Sequence, residues 1–460
     1  MKKNDVIQLH ITGMSAEGNG VARSEADGGM VVFIPFTAVG DTVTARIVKV
    51  EKTHAFGRVE KIEHPSPDRL AHNGTDCAVF GKCGGCVYRH ITYEAECRYK
   101  WQRVADALQR VGGLDIVPQP LVTCGVPDHY RTKAQYPVAA GEHRALIGFY
   151  APRSHRVVEQ RDCLLQPPVF HEILDVVARY IKKTGLSIYD ETTGIGVLRH
   201  IYIRQAPATG ELMVCLVCTS GKLPHPEQLI EPLRQIDGVV SVSVNLQKKD
   251  TNVILGDQGF VLWGKDTVTD ILCGLKFRLS ARSFYQVNSP AAEKLYTLAA
   301  EKAECTEQDV LLDLYCGTGT IGLTMAHRVK QLIGVEIVAP AVEDARRNAE
   351  ANGVENARFI CADAAQAAAQ LEKEGLHPDI VVVDPPRKGL DASLPPLLQR
   401  MAPRRIVYIS CDAATMARDC ARLQQCGYRV DSVTPVDLFP RTAHVESVVS
   451  LTRRLDNELR

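Results

Sequence analysis

The chain has 460 residues, enough for about three domains. Its 54 basic and 54 acidic side chains cancel, which excludes a bulk polycation and leaves any nucleic-acid contact to local basic patches. No apolar run approaches the roughly 18 residues a bilayer span needs, and MKKNDVIQLHI lacks the apolar stretch of a signal peptide, so a cytoplasmic protein is expected.

Residues 1–62 alternate short β-rich runs with turns: VIQLHITGM, GVARS, GMVVFIPF, DTVTARIVKVEK and FGRVEKIEH. Short strands punctuated by Gly and Asp predict a small β-barrel. HPSPDR, 64–69, reads as a linker. Residues 70–97 carry closely spaced cysteines. YEAECRYKWQRVADALQRVGG, 93–113, has helical periodicity and a glycine stop. Its Arg98, Lys100, Arg103 and Arg110 read as a solvated basic face. Residues 120–282 mix strands (HIYIRQA, ELMVCLVCT, VVSVSVNLQ) with helices.

From 305 onward strands and helices alternate. VLLDLYC, QLIGVEI, RFICAD, DIVVVDPP and RRIVYISC are strands, GTIGLTMAHR opens a helix, and PAVEDARRNAEANG is a helix with Pro at its start and Gly at its end. YRVDSVTPVDLF and HVESVVSLTR form a closing antiparallel pair. The pattern predicts an open parallel sheet with helices on both faces. Such sheets bind ligands at the carboxyl ends of their strands. Asp313, Glu336, Asp363, Asp384 and Cys411 end the predicted strands there.

Gly317, Gly319 and Gly322 form G-x-G-x-x-G after a strand and before a helix, and Glu336 ends the next strand where it can take ribose hydroxyls. The spacing suits a dinucleotide. Asp313 argues instead for a cationic donor such as S-adenosylmethionine, and Asp363 stands where it can meet an adenine amino group. Two prolines in DPPRKG, 384–389, hold Asp384 on a rigid turn.

Cys411, in VYISCDAATMARD, follows a strand and precedes a helix that Asp412 can cap. A helix N-terminus lowers a thiol pKa and arms it as a nucleophile. Glu446, in HVESV, lies on another strand of the same sheet. Most of the 15 cysteines, Cys215, Cys218, Cys273, Cys361 and Cys426 among them, read as small buried hydrophobes, and none is expected in a disulfide. Cys77, Cys83 and Cys86, in CAVFGKCGGC, have the spacing of a zinc or iron–sulfur site. Cys97, Cys124, Cys163 and His90 are open candidates for a fourth ligand.

Together these residues resemble the TRAM-domain, cluster-containing RNA uracil-5-methyltransferases that make 5-methyluridine in 23S ribosomal RNA. The resemblance runs from about residue 5 to 452. It implies a TRAM-like RNA-binding barrel over 1–62. A central α+β domain over 63–93 and 125–282 would carry the metal cluster. A Rossmann-like α/β methyltransferase domain would span 94–124 and 283–460. CAVFGKCGGC with RDCLLQ implies a 4Fe-4S cluster on Cys77, Cys83, Cys86 and Cys163. SFYQVN, 283–288, implies that Gln286 contacts S-adenosylmethionine, with Tyr315 and Gly317 in its loop, Glu336 on the ribose, and Asp363 and Asp384 nearby. Cys411 is implied as the nucleophile and Glu446 as the base. Ala78 and Ala413 stand where the family usually has proline, and every chemical residue remains.

The implied chemistry is coherent. C5 of uracil becomes nucleophilic once a thiolate adds to C6, and a separate carboxylate must then lift the C5 proton. The uridine must leave its stack to reach them. RNA is the expected partner, with no membrane or DNA partner, and the chain is expected to be monomeric. Transfer-RNA uracil-5 methylation, RNA cytosine-5 methylation and a non-catalytic RNA-binding assembly protein are the competing readings.

Overall fold

The computed structural model describes residues 1–70 and 76–454. Strands β1 (Val6–Met14), β2 (Gly20–Ser24), β3 (Met30–Ile34), β4 (Thr42–Val50) and β5 (His54–His64) close into a barrel in the order β1-β2-β3-β5-β4. Alternation fills it: Leu9 and Ile11, Val32 and Ile34, and Val43, Ala45 and Ile47 point inward. The predicted linker is fastened to this barrel rather than loose. Arg69 binds the fully buried Asp41 at 2.7 Å and the Phe36 carbonyl at 3.0 Å, and the Ser66 N–H donates to Asp41 at 2.8 Å.

Helix α1 (Tyr93–Arg110) starts on Thr92, whose hydroxyl accepts from the Ala95 N–H at 3.2 Å. A central mixed sheet contains β6 (Lys133–Ala140), β7 (Ala145–Tyr150), β8 (Val157–Glu159), β9 (Leu198–Gln205), β10 (Leu212–Cys218), β11 (Val239–Leu246) and β12 (Gln258–Gly264). Its order is β12-β11-β10-β9-β6-β7-β8. Helices α2 (Val169–Thr184) and α3 (Glu227–Leu233) cover one face through Ile173, Val177, Ile201, Ile203 and Leu229. The other face, with Tyr202, Met213, Cys215 and Val217, joins the core of the C-terminal half. The hairpin β13 (Val268–Leu272) and β14 (Leu275–Leu279) joins the same core.

The C-terminal half follows as α4 (Ser289–Ala303), β15 (Val310–Leu314), α5 (Thr320–Met325), β16 (Gln331–Glu336), α6 (Ala339–Ala351), β17 (Ala357–Cys361), α7 (Ala364–Lys373), β18 (Ile380–Val383), α8 (Leu394–Met401), β19 (Arg405–Ser410), α9 (Ala413–Gln425), β20 (Tyr428–Val436) and β21 (Glu446–Arg453). The sheet order is β17-β16-β15-β18-β19-β21-β20. Strands β15 to β19 are parallel, and β21 enters antiparallel between β19 and β20. This is a doubly wound sheet closed by an antiparallel pair. Leu311 and Val407 bury one face beneath α4, α5 and α6, while Leu312, Val381 and Ile406 bury the other beneath α7, α8 and α9. Helix α1 belongs to that second layer, since Val104 and Leu108 pack with Met416 and Ala417. After it the chain runs beside β20, with the Gln119 N–H on the Val433 carbonyl at 2.8 Å and a bridge from Val122 to Val436. Among the described residues no helix is long and apolar enough to cross a membrane.

Candidate active site

A cleft of about 1560 Å³ opens at the carboxyl ends of the parallel strands. Register decides what meets there. Ser410 of β19 pairs with Ser447 of β21, so Cys411 and Glu446, one step further on each strand, lie opposite one another. Opposed residues on antiparallel strands have Cβ atoms about 4.5–5.5 Å apart. Val383 of β18 pairs with Tyr408 of β19, which sets Asp384 on the next strand end. Three adjacent strands thus deliver two carboxyls and a thiol to one wall of the cleft.

Burial governs their protonation. It pushes the Glu446 carboxyl up to about 8, with Asp384 adding to the effect and Arg387 opposing it. Burial raises Asp384 to about 7. The Cys411 thiol is pushed up to about 11, by burial first and then by the Glu446 and Asp384 carboxylates, against the pull of Arg387. The expected armed thiol is therefore absent in the ligand-free protein. Burial is the main reason, and the helix end offers little to offset it: Asp412 caps α9, accepting from Ala414 N–H at 3.1 Å and Thr415 N–H at 2.9 Å. The donors that would have favoured a thiolate are taken by a carboxylate.

The glycine turn forms the neighbouring wall. Tyr315 is held at φ +67°, a left-handed conformation uncommon for a bulky residue. A Cβ on Gly322 would come within 2.7 Å of an Asp313 carboxylate oxygen and 2.8 Å of Leu332, so only glycine fits there. Glu336 accepts from the Gly317 N–H at 3.1 Å and the Val338 N–H at 2.9 Å. Gln286, Tyr315, Gly317, Glu336, Asp363 and Asp384 all line the cleft, and Asp363 also caps α7 through the Ala365 N–H at 3.0 Å. Asp313 does not line it. The expectation that this carboxylate faces a cationic ligand is corrected: it lies under the turn, 1% exposed, accepting from the Gly322 N–H at 2.9 Å. Burial lifts it to about 8.

Cys77, Cys83, Cys86 and Cys163 line the far end of the same cleft. The thiols act on one another: Cys163 and Cys83 each raise the Cys86 pKa, although burial is the larger cause of its rise to about 12. Among the described residues, no three His, Cys, Asp or Glu side chains converge closely enough to hold a single metal ion. The other candidates for a fourth ligand stand elsewhere. His90 is buried against Phe80 with its Nε2 3.2 Å from the Thr37 carbonyl, Cys97 lies on α1, and Cys124 Sγ is 3.7 Å from Asn288 Nδ2.

Comparisons with known proteins bear on this constellation. A family model described as tRNA (uracil-5-)-methyltransferase matches residues 261–454, and a TRAM domain model matches residues 2–59. An uncharacterized RNA methyltransferase of Clostridium tetani is 41% identical over 453 residues, 98% of this chain and 97% of its own length. One from Halalkalibacterium halodurans is 42% identical, covering 98% of each chain. The chain belongs to a family of RNA methyltransferases. The crystal structure of the Pyrococcus abyssi tRNA (uracil-54, C5)-methyltransferase in complex with S-adenosyl-L-homocysteine is 26% identical, with a TM-score of 0.78 over 97% of this chain and all of that one.

Several residues of this family member carry weight that the sequence hid. Lys100, expected on a solvated face, is 1% exposed, 2.7 Å from both Glu96 and Asp437 and 3.0 Å from the Phe439 carbonyl. Arg103 donates to the Ala443 carbonyl at 2.6 Å. Both side chains anchor the 437–445 loop that leads into Glu446. Arg387, beside the quoted DPP, reaches His444 at 3.3 Å and lies close enough to affect both Cys411 and Glu446. The thiols expected to be buried divide: Cys215 and Cys218 are buried, Cys273 and Cys426 half-buried, and Cys361 exposed at the end of edge strand β17.

Proposed function

We propose that this protein transfers a methyl group from S-adenosylmethionine to C5 of a uridine in RNA. The observation that carries the reading is the register of β18, β19 and β21, which sets Asp384, Cys411 and Glu446 side by side in a cleft. The donor, when bound, supplies an electrophilic sulfonium methyl. Gly317, Tyr315, Glu336 and Asp363 are the residues to hold it, because the turn backbone is open to the cleft: a Cβ on Gly317 would meet nothing within 4 Å. Exposed Ile337 and Val338 offer an apolar wall beside it. Gln286 lines the same cleft.

The Cys411 thiol loses its proton to solvent and the thiolate adds to C6 of the extruded uracil, so that the C4–C5 bond takes enolate character. C5 then takes the methyl as the sulfur–methyl bond breaks, with its electron pair staying on sulfur and S-adenosylhomocysteine as the leaving group. Glu446 takes the remaining C5 proton, the electron pair re-forms the C5–C6 double bond, and the thiolate leaves. A carboxyl raised to about 8 is a stronger base than an ordinary one, which suits a weakly acidic C–H. Asp384 is placed to accept from, or when protonated donate to, the polar edge of the base. Arg387 offsets the charge that collects on the thiolate and enolate.

Cys77, Cys83, Cys86 and Cys163 are the residues to hold a 4Fe-4S cluster. Four thiols and no nitrogen ligand suit iron–sulfur chemistry, and a cluster spreads its ligands around a body instead of drawing three to one centre. No step above uses it, so its role is in folding or in shaping the RNA surface. The barrel over 1–62 is assigned to RNA binding, the segments 63–93 and 125–282 to the thiol-bearing domain, and 94–124 with 283–460 to the methyltransferase. We take 23S ribosomal RNA as the first substrate to test and transfer RNA as its competitor, with the protein acting as a cytoplasmic monomer. Anaerobically purified protein, labelled S-adenosylmethionine and each unmodified RNA decide it. Label recovered as 5-methyluridine from ribosomal RNA alone is the expected result. Label in 5-methylcytidine, or in neither RNA, refutes the reading.

A further inference from the structure

Among the basic side chains that line the cleft, Arg131 differs from its neighbours Arg89 and Arg103, which are paired with Asp76 and Asp128 and with Asp412. Arg131 lines the cleft, and among the described residues its guanidinium has no hydrogen-bond or ion-pair partner. Lys133, two residues on at the start of β6, is half-buried and likewise has no such partner among the described residues. The β6 strand places it opposite Arg204, whose guanidinium is committed to the carbonyls of Ser280 at 2.9 Å and Ser283 at 2.6 Å, both of the cleft lining. Burial, then Arg204 and Arg131, pull the Lys133 ammonium down to about 8. Across the cleft, His444 is held neutral, near 4, by burial and by Arg387, Arg103, Lys100 and Arg131. Of the acids that line the cleft, Asp412 is 3.8 Å from Arg103, and none, Glu17, Glu446 and Asp384 included, forms an ion pair with Arg131 or Lys133 among the described residues.

Cations placed together without counter-charge cost stability unless an anion completes them. The position points to a phosphate of an RNA strand. It lies beside the wall that receives the extruded base, and the Thr132 N–H between the two residues binds the Val287 carbonyl at 2.8 Å, next to Gln286. We propose that Arg131 and Lys133 form a phosphate seat that fixes the RNA backbone beside the target nucleotide, with Arg103 and Arg387 on the facing side. This rests on the RNA-methyltransferase reading.

The test uses the full-length protein, with R131Q, K133Q and the double variant, and K133R as the conservative control. Fluorescent single-stranded polyuridine is titrated at several salt concentrations, and S-adenosylmethionine binding is followed by calorimetry. The double variant is expected to bind RNA at least tenfold more weakly at low salt. Its logarithmic salt slope should be shallower by about 1.4, roughly 0.7 for each lost contact. S-adenosylmethionine affinity should be unchanged, the ligand-free melting temperature should be no lower than that of the wild type, and K133R should bind as the wild type does. Unchanged RNA affinity and slope overturn the seat. So does weakened S-adenosylmethionine binding with RNA affinity intact, which would assign these cations to the donor's carboxylate. If the seat behaves as expected while the wild type makes no 5-methyluridine, the seat stands and the proposed activity fails.

Discussion

Replacing Glu446 by Gln separates the two halves of the proposed reaction. The glutamine keeps the volume of a side chain that is 5% exposed and removes its charge and basicity. Cys411 addition should not suffer. Its thiol stands at about 11, and the Glu446 carboxylate is among the groups that raise it. Removing that charge lowers the thiol pKa, and each unit of lowering gives about tenfold more thiolate at pH 8. Proton abstraction from C5 loses its base, which is worth roughly 10²–10⁴ in rate, about 3–5 kcal/mol in the barrier. Turnover should fall by that factor while a methylated protein–RNA adduct accumulates. Denaturing electrophoresis with end-labelled RNA resolves the adduct, and methyl-labelled donor shows whether transfer preceded the block. C411A should give no adduct under the same conditions. Turnover within about threefold of wild type, or no adduct with donor and RNA both present, refutes the assignment of Glu446 as the base.

Stability and activity should move in opposite directions with pH. Asp313, Asp384 and Glu446 have folded-state pKa values raised to about 8, 7 and 8, against about 4 unfolded. Their contribution is fully present below about pH 4 and is lost as pH rises through 8. The ligand-free melting temperature should therefore drop over that range, and less so in D384N, whereas kcat/KM should climb as Glu446 ionises. R387Q should shift that climb to higher pH, since Arg387 holds down both Glu446 and Cys411; an unshifted profile counts against its role. K100M leaves Glu96 and Asp437 buried without their ammonium, at a cost of about 3–5 kcal/mol. Thermal unfolding and hydrogen exchange over 437–446 measure it, and a loss below 1 kcal/mol would show that the loop is anchored otherwise. G322A forces a Cβ against Asp313 and Leu332 and should cost about 1–3 kcal/mol, together with S-adenosylmethionine affinity measured by calorimetry.

The sheet was legible because its signals are local. Runs such as DIVVVDPP and RRIVYISC are buried on both faces and read as parallel strands, and the Pro and Gly bounding 339–353 mark a helix. The glycine turn was legible because close approach and positive φ leave few residue types. Asp384 and Cys411 follow their strands directly, so strand assignment alone put them at the correct edge, whereas Glu446 was assigned only to a strand of the same sheet, which it opens in the structure. The side-chain environments were not legible. The α1 basic run looks uniform in sequence, yet it splits into exposed Arg98 and Arg110, a cleft-lining Arg103 and a buried Lys100. Asp437, which pairs with Lys100, comes from 337 residues further along the chain. Asp313 and Cys411 show the same limit. Their positions were predictable, but the direction of one side chain and the charge state of the other depended on burial and, for Cys411, on two carboxylates brought by separate strands.

The sequence by itself determined the elements, the turn and the chemical residue types, because backbone propensity and spacing act over a few residues. Only the tertiary structure decided which carboxyls share a wall with Cys411, how far burial raises them, and that Arg131 lines the cleft without a counter-ion among the described residues. Desolvation and Coulomb interactions depend on distance in space, and here those distances are set by strand register and by packing between segments remote in the chain.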